Sequence, residues 1–434
     1  QPKILMKKLL TLTAVGTVLV CSDALASGFN LKEQSAAAQG NAFAGATAGA
    51  EDISYSFFNP AGLTRHKGTK ISVGGTWIAP RSRAKRAHAD TVIPGDDFPG
   101  FQDSGYTGDI VHSAVAPAMY MSKQLDDRFT LGLSLNVPYG MITKYNDLWA
   151  GRFHGTLSKV TTVTLTPMIA YKATDELSLG AGVQMQYIKA TLRNGVRVPN
   201  PYTGGVLPGV EDKARLEGDT FDIGYQLGAL YELTPQTRFG IGYRSQIKHK
   251  LKGDIEFDGL MRDLASQDIS ARLTTPANLT IGAYHDINDK WAVMAEFGRT
   301  YWSSFEELRI KGDKGLDNVT QEKWKDTTFY SIGASYKVDD QWKLRAGFAV
   351  DQSAVGQEYR TPRIPDADRL WYSAGVEYKY DDKWTFNVGY TYIRADKGKV
   401  KLNGFHDGDT ARGSLRADYE NDIHILAASM NYNF

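Results

Sequence analysis

The sequence predicts an all-β fold, a 14-stranded antiparallel transmembrane β-barrel with a small N-terminal, partly helical hatch (plug) in its lumen. Three observations predict it. A pattern of strand, short turn and new strand recurs six times. The segments between those turns alternate apolar and polar residues with a period of two. The connections on one side of this pattern are short and those on the other are long. Over 434 residues the net charge is only +1, so there is no bulk electrostatic attraction to nucleic acid. No internal stretch of about 18 apolar residues implies a membrane helix, but crossing strands alternate and keep mean hydropathy low. The 23 Tyr and 43 Gly suit aromatic girdles and close strand contacts.

The first element is a leader over residues 1–26. Met6-Lys7-Lys8 supplies its positive start, Leu9 to Val20 its apolar core, and Ala24-Leu25-Ala26 a cleavage site, so a mature start at Ser27 is expected. Residues 1–5 are expected to precede an initiator at Met6. The single cysteine, Cys21, falls inside the leader, and the large Val20 before it argues against a lipoprotein. The mature chain then has no disulfide and no Cys metal site.

Residues 27–67 form the second element, the hatch. They are rich in Ala, Gly and Ser, lack a two-residue period and end in Asn59-Pro60-Ala61-Gly62-Leu63. Gly40, Gly45 and Gly49 among many alanines allow short, tightly packed helices, and Asn59-Pro60 favours a turn that ends them. A solvated linker is the competing reading, and Phe57, Phe58 and Leu63 argue against it.

Residues 68–434 form the barrel. Its short turns lie at Asp126-Asp127, Thr174-Asp175-Glu176, Thr234-Pro235-Gln236, Asn288-Asp289, Asp339-Asp340 and Asp381-Asp382. The strands restart at Phe129, Leu177, Phe239, Trp291, Trp342 and Trp384. Such residues build tight hairpins, and a bulky restart residue lies where an interfacial girdle belongs. Period two is clean after the turns. Leu177, Leu179, Ala181, Val183 and Met185 share one face, and Ser178, Gly180, Gly182 and Gln184 the other. A helix would scatter these residues around its circumference. In lipid the backbone must pair fully, so strands of this kind must close. The long connections fall near 80–110, 138–159, 190–219, 249–272, 301–324, 352–368 and 395–418. Six short turns and seven long connections join fourteen strands, with both ends on the periplasmic side. The last strand alternates His424, Leu426, Ala428, Met430, Tyr432 and Phe434 and ends on Phe, resembling an outer-membrane assembly signal. A periplasmic sandwich or propeller fits less well, because it would scatter Trp and Tyr through the strands.

At this point the chain resembles a known family. Its GNAFAG segment at 40–45, Asp52-Ile53-Ser54 and Asn59-Pro60-Ala61-Gly62-Leu63 resemble the hatch of the FadL-type outer-membrane transporters of long-chain fatty acids and other hydrophobic compounds. IPDADRLWYSAG at 364–375 resembles that family's late-strand motif, and NVPYG at 136–140 with KYNDLWAG at 144–151 its third-strand region. The resemblance implies passive, substrate-selective uptake: binding in the barrel, hatch movement, and lateral release where the third strand kinks. Hatch residues Phe29, Asn59, Pro60 and Ala61 and opening residues Pro138, Tyr139 and Gly140 follow from it. Proline removes a ladder donor, so Pro138 marks either a gap in the wall or the start of a loop, and the resemblance favours the gap.

A fatty acid needs an apolar channel and a cation for its carboxylate. Counting back from Tyr336, Ala334, Ile332 and Tyr330 puts Lys325 inside with Phe329, and Lys325-Asp326 matches a basic position of the family. The family's arginine falls near Arg193-Asn194, where Asn194 has the inward parity and Arg193 does not. Arg345 and Lys343 also read inward, and Trp371 reads inward as a packing or ligand-facing aromatic. Each such cation has the alternative role of balancing a lumenal carboxylate. The expected ligand is a long-chain fatty acid. Monoaromatic or alkane hydrocarbons on the same fold are the alternative, and a non-selective porin the second. No enzyme is expected: there is no G-x-S-x-G and no H-E-x-x-H. No cofactor, metal or energy-transducer segment is called for. The expected partners are the hydrophobic ligand and outer-membrane lipid, and the barrel is expected to act as a monomer in the bacterial outer membrane.

Overall fold

The six short turns share one local device, and it sets the strand order. In each, the first side chain accepts hydrogen bonds from main-chain N–H groups two or three residues on. Asp126, Asn288, Asp339 and Asp381 do this for Phe129, Trp291, Trp342 and Trp384 at 2.7–2.8 Å. Thr174 and Thr234 do it for Leu177 and Thr237 at 3.0 Å. Short Asp, Asn and Thr side chains mimic a backbone turn in this way, so every hairpin on this side is closed by its own sequence.

The structure is a computed structural model and describes residues 28–90, 101–102, 106–200, 202, 206–407, 409 and 412–434. The leader expected at residues 1–26 lies outside the described residues. Fourteen strands form a closed antiparallel barrel. They are β1 (Thr69–Asp90), β2 (Ala114–Gln124), β3 (Phe129–Asn136, resumed at Gly140–Lys144), β4 (Leu157–Lys172) and β5 (Leu177–Pro199). Then come β6 (Val206–Glu232), β7 (Thr237–Arg244 and Ile247–Phe257), β8 (Gln267–Thr275 and Asn278–Asp286), β9 (Trp291–Thr300 and Glu307–Gly312) and β10 (Asp317–Gln321 and Thr327–Lys337). The series ends with β11 (Trp342–Asp351), β12 (Arg369–Lys379), β13 (Trp384–Ala395 and Gly398–Leu402) and β14 (Ser414–Asn433). Each pairs with the next, and β14 closes on β1 from Lys70↔Asn433 to Asp90↔Ser414. Closure leaves no free edge, as a hydrocarbon environment demands.

The outward residues of the lower wall are apolar and exposed, among them Leu131, Leu179, Ile241, Val293 and Leu344. Ring pairs Phe129–Tyr171, Trp291–Tyr336, Trp342–Tyr378 and Trp384–Tyr432, 4.5–4.9 Å apart, circle the short-turn end. This is a lipid-facing band with its girdle.

Several expected loops carry long stretches of strand. The connections placed at 190–219 and 249–272 are hairpin extensions, because β5 runs to Pro199, β6 starts at Val206 and β7 runs to Phe257. Their outward residues, such as Lys213, Arg215 and Glu217, are charged and pair with one another or their neighbours. Above the lipid the outer face no longer has to be apolar, so the sequence alternation that marks a crossing strand fades while the ladder continues.

Residues 28–66 sit inside the lower barrel. Ser35 caps the helix α1 (Ala36–Gly40). Asp52 caps a 3-10 turn at Ile53–Phe57, and Asn59 caps a second at Pro60–Arg65, with Pro60 in its first turn. Asn59-Pro60 thus starts a helical turn as well as ending the one before. Asn59 Nδ2 also donates to the carbonyls of Thr47 and of Ala229 on β6, at 2.8 and 2.9 Å. The lumenal face opposite the hatch is lined with glycine. A Cβ at Gly228 would overlap Asn59 and Pro60, and one at Gly347 would overlap the Asn41–Ala42 backbone.

Candidate functional site

The barrel wall is irregular at one level, just above the hatch. On β3, Asn136 faces Thr164 of β4 while Gly140 faces Thr161, so four steps on β3 oppose three on β4. That is a one-residue bulge, and Pro138 lies in it. Among the described residues β2 pairs with β3 only from Met119 to Gln124. Above that the β2–β3 wall is bridged by the Lys144 N–H to the Ile110 carbonyl, 2.7 Å. The hatch covers the gap from inside. Leu31 N–H donates to the Pro138 carbonyl (2.8 Å), and Gly140 N–H to the Phe29 carbonyl (3.0 Å). Gln34 Nε2 donates to the Val137 carbonyl at 2.9 Å, and Gln34 Oε1 accepts from Asn136 at 3.0 Å. Substituting Gln34→Leu removes buried bonds worth about 1–3 kcal/mol. The Gly140 amide is then expected to exchange with deuterium roughly tenfold faster. An unchanged rate would show that the hatch does not hold the bulge shut.

At the same level β9 and β10 also break. Residues 301–306 and 322–326 turn inward and carry Trp302, Phe305 and Trp324, all buried. With Phe29 of the hatch they form an aromatic cluster: Phe29–Trp302, Trp302–Trp324 and Phe305–Trp324 lie 4.8 Å apart. Tyr139 joins it at 5.8 Å from Phe29 and reaches across to β8, its hydroxyl donating to the Pro276 carbonyl at 3.2 Å.

Above this cluster lies an apolar cavity of about 750 Å³, counting its mouth. Met141, Val160, Leu251, Leu273, Leu308 and Ile310 supply much of its wall, and Phe29 forms part of its floor. Its charged lining residues are Arg363, Glu322 and Glu217, the last paired with Lys189 and Arg215. Arg363 belongs to the 352–368 connection, which the IPDADR motif folds into the lumen. There Asp366 pairs with Arg369 and accepts from the Gly28 N–H (3.0 Å) and Ser353 (3.0 Å). Arg363 donates to the Leu157 carbonyl (2.7 Å) and Ser158 Oγ (2.9 Å). Weaker bonds run to the Arg193 carbonyl (3.3 Å) and Asn194 Oδ1 (3.4 Å). Every one of these acceptors is neutral. Burial, with the Arg412 guanidinium nearby, pulls the Arg363 pKa down to about 10, so it keeps its charge at neutral pH. Burial pushes the Glu322 carboxyl up to about 8 against a hydrogen bond from Trp324 Nε1, 3.1 Å. Both residues lie above the lipid band, beside the exposed Lys323 and Lys325.

The sequence-predicted residues separate into four groups. Lys325 is exposed, its N–H donates to the Ala354 carbonyl at 2.9 Å, and it is not among the residues that line the upper cavity, where the parity count would carry it. The parity count fails because the strand is interrupted at residues 322–326, with Lys323 at φ 44°, and Trp324 goes inside instead. Arg193 is likewise exposed, as its parity indicated, and only its carbonyl meets Arg363. Arg345, Phe329 and Trp371 do face the lumen but at the hatch, not at the cavity. Arg345 pairs with Glu51 of the hatch (3.3 Å) and with Glu377 (2.6 Å), and Lys343 pairs with the same Glu51 (3.2 Å). Phe329 lies under the Lys32 ammonium, 3.8 Å from the ring centre, and packs on Trp371 (5.6 Å), which in turn meets Phe43 (6.0 Å). Phe29, Pro138, Tyr139 and Gly140 come together at the bulge. Asn59, Pro60 and Ala61 seat the base of the hatch. Arg363 and the inward tryptophans were missed. The only local signals are the paired prolines around Pro362-Arg363-Ile364-Pro365 and the lost alternation at 301–306.

The family described as "Outer membrane protein transport protein (OMPP1/FadL/TodX)" matches residues 17–434. A "Long-chain fatty acid transport protein" of Escherichia coli O6:H1 is 28% identical over 451 aligned positions, covering 97% of each chain. The crystal structure of a Pseudomonas aeruginosa FadL homologue superposes with a TM-score of 0.85 at 25% identity, covering 94% of this chain and 100% of that one. The Pseudomonas putida toluene transporter TodX has the same fold, with a TM-score of 0.67 at 20% identity, 94% of this chain and 100% of that one. Hatch, bulge and cavity therefore belong to a membrane passage rather than to a catalytic centre, and the chain is a member of the OMPP1/FadL/TodX family, outer-membrane transporters of hydrophobic compounds.

Proposed function

We propose that this transporter takes up long-chain fatty acids, passively and selectively. One observation carries the reading: an apolar cavity in which a half-buried arginine, Arg363, is bonded to neutral acceptors alone. A guanidinium drawn partly out of water without an anion is costly, and a ligand carboxylate offers it the bidentate geometry it prefers. The alkyl chain then lies along Val160, Leu251, Leu273 and Ile310. Release follows when the hatch lets go of β3. The bonds from Leu31, Gly140 and Gln34 break, and the chain leaves sideways between β2 and β3 into lipid. The hatch-filled lumen supports a selective carrier over an open porin.

A hydrocarbon ligand would use the same walls and ignore Arg363. Competition binding on the purified protein in detergent tests this, with a fluorescent fatty acid displaced by oleate, methyl oleate or toluene. Oleate is expected to displace it at least tenfold more tightly than methyl oleate. Displacement by toluene at concentrations where oleate has little effect would replace the fatty-acid reading with the hydrocarbon one.

A further inference from the structure

A second cavity lies below the first, between the hatch and the β3 bulge. It spans about 450 Å³, counting its mouth, and Asn30, Lys32, Pro138, Tyr139, Arg244 and Asn278 are among its walls. The Phe29–Tyr139 ring pair, 5.8 Å between centres, stands between the two cavities. Both flanking strands are broken here to admit it. β7 is interrupted after Arg244, and β8 between Thr275 and Asn278. On the β6 side the register moves by one residue across the β7 interruption, from Arg244↔Gln226 to Lys252↔Asp219.

Arg244 is the unusual group. Its guanidinium lies over the Phe57 ring at 4.1 Å and spends one N–H on the Phe57 carbonyl, 3.1 Å. Among the described residues it pairs with no carboxylate, so most of its five donors are left for a ligand. A cation at membrane depth marks a pathway when it faces a cavity and lacks a partner. Lys32 adds a second positive charge. Its ammonium sits over Phe329 at 3.8 Å, and the nearest carboxylates, Asp351, Glu296 and Glu33, act on it only through space. The Asn30 side-chain amide supplies a neutral donor, the Asn278 amide is held only by long bonds to the Tyr139 hydroxyl (3.4 Å) and the Pro276 carbonyl (3.3 Å), and the second cavity adjoins Pro138, where the β2–β3 wall is open.

We infer that this lower cavity is a second carboxylate site, in which Arg244, assisted by Lys32, Asn30 and Asn278, receives the head group of a long-chain fatty acid after it leaves Arg363. The inference rests on the carboxylate reading of the upper cavity. It turns the passage into two stations separated by the Phe29–Tyr139 partition. The head group is never left without a cation between the loops and the lateral opening.

The test counts bound oleate on the full chain in detergent micelles, with methyl oleate as the uncharged probe. Heat-modifiable migration confirms that each variant is folded. The wild-type barrel is expected to bind two oleates. Arg244→Gln is expected to bind one, with the remaining affinity unchanged, and to slow oleate uptake into cells at least tenfold. Arg244→Lys is expected to restore the second site, and Lys32→Met, which leaves the barrel strands untouched, to weaken it severalfold. Arg363→Gln should weaken the other site instead. A single oleate in wild type, or two in Arg244→Gln, overturns the second station while leaving the Arg363 reading intact. Equal binding of oleate and methyl oleate overturns the carboxylate reading itself, and the second station with it.

Discussion

Deleting residues 28–66 is expected to convert a nearly silent barrel into an ion-conducting pore, with conductance in planar bilayers rising at least tenfold. A closed wall of fourteen strands encloses a lumen wide enough to pass solvated ions unless something fills it. Here the filling is the hatch, buried along nearly its whole length between Gly28 and Leu63. It is held by the Glu51 pairs with Lys343 and Arg345 and by Asn59 against Ala229. Backbone closure does not depend on it, since every strand has two neighbours without the hatch. The deleted protein should therefore still assemble and show the heat-modifiable migration of a folded barrel. Unchanged conductance in a folded deletion would mean that the loops, not the hatch, seal the lumen.

The second large effect is expected at Arg363. Arg363→Gln removes the one guanidinium facing the upper cavity among the described residues and should weaken oleate binding by about 10- to 100-fold, the value of a charged hydrogen bond. Methyl oleate should be unaffected. Lys325→Ala should change neither, because that residue is exposed and does not line the cavity. Loss for both ligands alike would make Arg363 a packing residue. A pH dependence accompanies it. Glu322, raised to about 8, is mainly neutral at pH 7 and becomes negative as pH rises through 8. Its charge then repels the ligand carboxylate and offers Arg363 a competing anion. Oleate affinity should fall between pH 7 and 9, and Glu322→Gln should flatten that fall. A flat wild-type profile would remove Glu322 from the site.

What the sequence makes legible follows from where period two is enforced. Within lipid the outer face must be apolar and the inner face must accommodate the hatch, so Leu177 to Tyr187 can be assigned face by face without coordinates. The hairpin turns are equally readable, because Asp126 and its five counterparts supply their own hydrogen bonds. The count breaks wherever the backbone stops being a regular strand. Lys325 was carried inward by parity across residues 322–326, where a positive φ at Lys323 resets it. Arg363 is invisible to any periodicity argument, since it reaches the cavity on a folded-in loop ordered by Asp366 and Arg369. The resemblance pointed to a cation for the ligand head. On the proposed reading that cation, Arg363, comes from the connection after β11 instead of from the strands.

The glycines under the hatch divide the barrel by its tolerance to change. Around Gly228 and Gly347 the hatch lies so close to the wall that even a methyl group has no room, and a bulkier residue must shift the hatch or unseat it. Those positions are frozen together with the segment they hold. Higher up, Val160, Ala190, Leu192 and Leu273 border open space and can exchange size without touching the hatch. A lineage could therefore lengthen, shorten or neutralise its ligand by drift in the upper walls alone, inheriting the release machinery unaltered. One scaffold serving acids in one bacterium and hydrocarbons in another is the outcome such a division permits.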